Sequence, residues 1–262
     1  MEDDVIFRFR TIKASSFRTL IEAVKEVLPE TNMEINREGI SIKSMDGTHL
    51  ILVHLALEAS AFDEFYCAAT TIIGLNMVNM HKLIKTINNN EILSITMLKS
   101  DTTKIIIEIQ NSQKQMETRY SLNLMDLDIE NINPPPVVFP SVVKMNSTDF
   151  QKIIRDMNAL GENVEILSSS DELQFRCKGD FAEQETVYNL RSREDEPTVP
   201  STEIVQGVFT LKYLMLFTKC TSLSPTITMY LKNKWPVTIE YDVAGLGNIK
   251  MALAPISIKP PN

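Results

Sequence analysis

Apolar residues recur along this chain with two periods, and the alternation between those periods predicts its elements. Phe17, Leu20, Ile21, Val24, Val27 and Leu28 fall at i, i+3, i+4, i+7, i+10 and i+11, the spacing of one helical face. Phe150, Ile153, Ile154, Met157 and Leu160 repeat that stripe and predict a second amphipathic helix. Met77, Met80, Ile84 and Ile87 predict another, and Leu211, Leu214 and Thr218 one more. Elsewhere the period is two, or the run is rich in β-branched residues. That predicts strands at Ile51–Leu57, Ile105–Ile109, Val164–Leu167, Thr186–Leu190 and Val237–Val243.

The helical stripes belong to an internal repeat. Ser16–Val24 aligns with Asp149–Met157, and the turn and strand of Arg37–Ile42 align with Ser170–Phe175. Ile95-Thr96-Met97, after one short helix, corresponds to Ile227-Thr228-Met229 after the other. The offset is nearly constant and close to half of the 262 residues, which chance agreement of short apolar patterns does not produce. The pattern predicts two copies of one α+β domain. Between them, Leu124 to Pro136 ends in three prolines, which have no backbone N–H and cannot continue a sheet. The expected organisation is a domain at 1–121, a connecting linker at 122–138 and a second domain at 139–262.

Composition narrows the class. Hydrophobic residues make up 44% and charged residues 23%, enough of each for packed globular domains. No run approaches the roughly 18 apolar residues a membrane helix needs, so no membrane association is expected. Met1-Glu2-Asp3-Asp4 is acidic where a secretory signal would be basic and then apolar, which predicts an intracellular protein. Cys67, Cys177 and Cys220 are odd in number and form no CxxC pair, so reduced, buried thiols are expected. Asn146-Ser147-Thr148 matches a glycosylation acceptor, but that modification requires export and is set aside.

Charge first argues against nucleic acid, because 26 basic against 34 acidic residues leaves −8. Position changes that inference. Arg18 and Lys25, Lys82 and Lys85, Lys152 and Arg155, and Lys212 and Lys219 stand on the polar sides of the four predicted helices, spaced by three or seven and so on one face. Glu22 and Asp156 are close enough for local ion pairs, yet recurrence of the pattern in all four helices favours a shared task.

Catalytic patterns are weak. Asp126, Asp128 and Glu130 alternate and in a strand would share a face, as the carboxylates of a metal-dependent nuclease might; beside a triple proline, a solvated connector is the favoured reading. His49 and His54 differ by five, so in one strand they would face apart and share no metal. Neither GxxxxGK[ST] nor GxGxxG occurs. No catalysis, cofactor or metal is expected.

Ser44-Met45-Asp46-Gly47-Thr48-His49-Leu50, Leu122-Asn123-Leu124-Met125-Asp126-Leu127-Asp128, Phe217-Thr218-Lys219-Cys220-Thr221-Ser222-Leu223-Ser224 and Leu253-Ala254-Pro255 resemble the proliferating cell nuclear antigen family of sliding clamps, over about Phe7 to Pro255. The resemblance implies the DNA clamp fold: two similar domains, each with two helices packed on antiparallel sheets, with three subunits forming a pseudo-sixfold ring around double-stranded DNA. Arg18, Lys25, Lys82, Lys85, Lys152, Arg155, Lys212 and Lys219 would then line the channel and meet phosphates without reading bases.

It also implies a hydrophobic pocket for short peptides from DNA polymerase, clamp loader, ligase and nuclease, matched here by Met45, His49, Leu52, Ile132, Pro236, Ala252, Ala254 and Pro255. For Leu52, plain core packing is the competing expectation. Ala252 stands where the family usually has tyrosine, Pro134 where an isoleucine is common, and Ser170 where many members carry the lysine that accepts ubiquitin. Gln113–Leu122, with Tyr120, and Phe181–Leu190 match the edge strands that join subunits. A role in replication and repair in a nucleus, or in a host nucleus for a viral member, follows from the resemblance. A monomeric or dimeric DNA-binding processivity factor, and a nuclease using Asp126 and Asp128, are the alternatives.

Overall fold

The computed structural model describes residues 4–111, 113–128, 132, 135–190 and 203–256. The chain divides into two compact units: Met1–Gly47, Val53–Ile132 and Asp242–Ile249 form unit 1, and Thr48–Leu52, Asn133–Tyr241 and Lys250–Asn262 form unit 2. Glu130 and Pro134 lie outside the described residues.

From the N-terminus the elements run β1 (Val5–Thr11), α1 (Ala14–Val27), β2 (Glu30–Ile35), β3 (Gly39–Met45), β4 (Ile51–Glu58), β5 (Glu64–Cys67), β6 (Thr71–Asn76), α2 (Met77–Ile84), β7 (Ile92–Leu98), β8 (Asp101–Asn111) and β9 (Met116–Asn123). They continue with β10 (Ser141–Asn146), α3 (Ser147–Asn158), β11 (Asn163–Ser168), β12 (Glu172–Lys178), β13 (Glu183–Asn189), β14 (Val205–Thr210), α4 (Leu211–Phe217), β15 (Thr226–Leu231), β16 (Val237–Asp242) and β17 (Gly247–Leu253).

The repeat expected from the sequence is present in strand pairing. In unit 1, β1 pairs with β7, β7 with β8, and β2 with both β3 and β6; in unit 2, β10 pairs with β15, β15 with β16, and β11 with both β12 and β14. All of these pairs are antiparallel. The helices lie where the periodicity placed them. Phe17, Leu20, Ile21 and Val24 of α1 and Phe150, Ile154 and Met157 of α3 are all at most 1% exposed, so these positions of each stripe are core, whereas Leu160 lies beyond the end of α3 and is half-buried. Asn76 caps α2, its Oδ1 accepting from the Asn79 N–H at 2.8 Å. Asn146 of the discarded acceptor triplet likewise caps α3, accepting from the Thr148 N–H at 2.9 Å.

Several boundaries differ from the sequence expectation. Helix α2 stops at Ile84, and Ile87 reaches the core from beyond it, its N–H donating to the Ile84 carbonyl. Helix α4 stops at Phe217 and tightens into a 3-10 turn over Thr218–Leu223. The cause is local: the Thr218 hydroxyl donates to the Met215 carbonyl at 2.8 Å and the Thr221 hydroxyl to the Thr218 carbonyl at 2.7 Å, bonds that compete with α-helical continuation. Strand β9 runs past residue 121, to Asn123, and β13 begins at Glu183, leaving Phe181 before it.

Beyond β9 the chain does not lift away at once. The Leu124 N–H donates to the Thr103 carbonyl and the Met125 N–H to the Gly74 carbonyl, each at 2.9 Å. Met125 thus bridges to β6 as a short added strand. Gly74 makes this possible, because a Cβ there would stand 2.3 Å from the Met125 carbonyl oxygen and 3.2 Å from Leu127 Cγ. Gly74→Ala is therefore expected to push this segment off β6 at a cost of roughly 1–3 kcal/mol, since backbone cannot yield as a side chain does. Faster hydrogen exchange at the Met125 amide, with a lowered unfolding midpoint in urea, is the expected result; unchanged exchange there would show that the contact does not hold the segment.

Candidate nucleic-acid interface and partner site

In unit 1, α1 packs on α2. Glu22 of α1 faces His81 of α2, with Oε2 and Nε2 3.9 Å apart. Of the four basic residues expected here, Lys82 and Lys85 are exposed while Arg18 and Lys25 are half-buried. Arg18 is committed to structure, its Nη1 donating to the Ile87 carbonyl at 2.5 Å. Lys25 pairs with the adjacent Glu26, and Lys82 donates to Asn79 Oδ1 at 3.2 Å. Lys85 is the C-cap of α2, where a cation also complements the helix dipole.

In unit 2, α3 packs on α4 and the 3-10 turn, and Gln151 Nε2 donates to the Thr218 carbonyl at 3.2 Å. Lys152, Arg155, Lys212 and Lys219 are all exposed. Arg155 meets Asp156 at 3.4 Å, a surface pair worth little. Lys212 Nζ sits 4.8 Å from the Tyr213 ring centroid. Because Lys219 lies on the 3-10 turn, the i, i+7 argument that put it on one α-helical face with Lys212 does not hold.

His81 is surrounded by this basic set. Burial, then the Lys25 ammonium, then that of Lys85 hold its pKa below the ordinary imidazole value, against the opposing pull of Glu22 and Glu26. The ring is therefore kept neutral.

The residues expected to take partner peptides are placed as follows. Met45 ends β3 and is half-buried. Ile132 is also half-buried. In unit 2, the Ala254 N–H donates to the Leu50 carbonyl at 3.0 Å and brings the segment carrying His49 and Leu52 beside Ala252, Ala254 and Pro255. Leu52 is half-buried while Ile51 is 1% exposed, so Ile51 takes the core position in this strand. His49 is exposed in the turn before β4 with φ 57, whereas His54 lies within β4. The two were expected to face apart within one strand; they occupy different elements. Pro236 follows Trp235, whose ring centroid lies 5.1 Å from Lys232 Nζ.

The carboxylates of the nuclease alternative find no support. Asp126 and Asp128 are exposed and follow the Met125 bridge outside any strand, so alternation does not put them on one face. Among the described residues no group of three or more His, Cys, Asp or Glu side chains could hold a metal ion. The three cysteines are buried and unbridged, as expected, and burial pushes the Cys220 thiol up to about 12. No helix among the described residues is long and apolar enough to cross a membrane.

Each unit also presents an edge. Strand β9 closes the sheet β5-β1-β7-β8-β9, and β13 closes the sheet β13-β12-β11-β14. Tyr120 is half-buried on β9. Met116 on β9, Val187 on β13 and Phe181 just before it are 52%, 48% and 78% exposed, unusual for large apolar side chains.

Comparison with known proteins completes the picture. The family model for the N-terminal domain of proliferating cell nuclear antigen matches residues 6–131, and that for the C-terminal domain matches residues 134–256. A protein of Paramecium bursaria Chlorella virus 1, named "Probable DNA polymerase sliding clamp 1", is 31% identical over 259 residues, covering 97% of this chain and 98% of the viral one. The chain belongs to the proliferating cell nuclear antigen family. Its α+β units, each with two helices and antiparallel sheets, are the DNA clamp fold of that family. Proliferating cell nuclear antigens are sliding clamps and processivity factors of DNA replication, scaffolds rather than enzymes, and this chain takes that class of function.

Sequence reasoning missed three residues. Gly74 admits the segment after β9 and Asn32 Nδ2 donates to the Asp128 carbonyl in that segment, and neither carries a periodic or motif signal. A lone histidine amid lysines gives no motif for His81 either. Its lowered pKa sets a pH dependence: the unfolded chain takes up a proton at about 6.5, the folded chain only at lower pH, so stability is lost as pH falls below that value. His81→Asn should flatten the fall in melting temperature between about pH 7 and pH 5. A slope identical to that of the parent chain would show that His81 does not carry it.

Proposed function

We propose that this clamp acts as a homotrimeric ring around double-stranded DNA and docks DNA polymerase, clamp loader, ligase and nuclease through short peptides. The observation that carries the reading is the pair of edge strands, β9 and β13. Each has one neighbour in its sheet and exposed apolar side chains, and a soluble protein must cover such edges. Pairing β9 of one subunit, with Tyr120, against β13 of the next is a head-to-tail contact, the kind that closes into a ring. Domains at 1–121 and 139–262, joined by the linker 122–138, would give that ring six related domains.

The channel is assigned to Arg18, Lys25, Lys82, Lys85, Lys152, Arg155, Lys212 and Lys219. The exposed members support it best, since their ammonium or guanidinium groups are open to solvent and to phosphate. Arg18 has a prior structural bond and would contribute least. A chain of net charge −8 with basic residues on each of α1 to α4 would hold DNA by position rather than by overall attraction, and would slide because phosphates repeat. Met45, His49, Leu52, Ile132, Pro236, Ala252, Ala254 and Pro255 would receive the partner peptide. The small Ala252 offers no ring for stacking and would favour peptides with larger anchors. Replication and repair in a nucleus, or in a host nucleus in keeping with the viral relative, is the setting proposed.

Light scattering over a dilution series tests the ring: a stable species near three times 29.7 kDa is expected. A monomer at every concentration, with or without DNA, would replace the ring by a simple DNA-binding processivity factor. Charge reversal at Lys82, Lys85, Arg155 and Lys219 tests the channel. Processive synthesis should drop at least ~10-fold and become less salt-sensitive, with the melting temperature nearly unchanged because these side chains are exposed. Unaltered processivity would remove these residues from DNA contact.

A further inference from the structure

Asn32 stands directly opposite Gly74 in the pairing of β2 with β6. Its side chain does not turn outward to water. Nδ2 donates to the Asp128 carbonyl at 2.9 Å and to the Leu127 carbonyl at 3.4 Å, on the segment that follows the Met125 bridge to β6. Asn32 therefore reaches this segment from beside Gly74, the one position of β6 that has no side chain and whose missing Cβ admits Met125. A strand residue of one element thus grips the backbone of a segment 96 residues later.

The two carbonyls held lie two and three residues beyond the Met125 bridge. Upstream, Leu124 and Met125 are bonded through their own N–H groups. Downstream stands Ile132, proposed above to touch the partner peptide. Backbone bonds at Leu124 and Met125 would fix the start of the linker whatever side chains those two residues carried, whereas the grip at Leu127 and Asp128 depends on one amide side chain.

We propose that Asn32 is a positioning residue for peptide capture. By anchoring the Leu127 and Asp128 carbonyls it fixes the direction in which the linker leaves β6, and so presents Ile132 already in place. The inference rests on the proposed peptide-docking reading of Ile132. Holding a recognition segment in its bound arrangement beforehand raises affinity by removing an ordering cost, with no contact added to the ligand.

The test uses the full-length chain and a fluorescein-labelled synthetic peptide of the type that binds proliferating cell nuclear antigen. Asn32→Leu keeps shape and neutrality but deletes both donors, and Asn32→Gln keeps the amide on a longer arm. With N32L the peptide Kd should rise ~10-fold, the sum expected for two modest hydrogen bonds. Hydrogen exchange across 125–128 should quicken, while the mass in solution is unchanged. N32Q should recover at least part of the affinity, which a purely structural role would not require. Equal Kd values for N32L and the parent chain would overturn the role of Asn32 while leaving the pocket standing. A weakened N32L that N32Q does not improve at all would assign the loss to strand packing and overturn it too. Absence of any peptide binding by the parent chain would instead overturn the docking reading on which it rests.

Discussion

Everything in each unit follows from one burial constraint: a pair of helices must put its whole apolar stripe into the sheets. In α1 the stripe Phe17, Leu20, Ile21 and Val24 is sealed, and in α3 Phe150, Ile154 and Met157 are sealed the same way. Once those faces are committed, the helices cannot rotate, and the residues between them have one direction left. Lys82, Lys152, Arg155 and Lys212 are exposed for this reason, not because the chain is basic; it is acidic. Burying the stripe is what leaves these cations at the surface of a chain whose net charge is −8.

The sheets supply the other half of the design. Strands in the middle of a sheet have both neighbours, but β9 and β13 have one each, and their apolar side chains are left uncovered. Helix faces are finished within each unit, whereas the described sheets keep open edges, β9 and β13 among them.

How much of this was legible beforehand depended on periodicity. The repeat could be read because Phe17 and Phe150 stand at the head of matching stripes and because Ile40 and Leu173 begin matching strands. Ile51 and Leu52 could not be assigned until burial separated them. The end of α4 was hidden because threonine hydroxyls at 218 and 221 redirect the backbone, a competition that no apolar pattern registers. Most hidden of all was the docked linker. It depends on an absent side chain at Gly74 and one amide at Asn32, and neither residue type announces a partner nearly a hundred positions away in sequence.

The cysteines carry a practical consequence. Cys67, Cys177 and Cys220 are buried and unbridged, and burial raises the pKa of each thiol, that of Cys220 to about 12. Thiolate is the reactive form, so at neutral pH these sulfurs offer almost nothing to an alkylating dye or a mild oxidant. The native sequence is in effect a blank background for labelling. A single cysteine introduced on an exposed helix position would take up a fluorophore or spin label alone, without removing any natural residue.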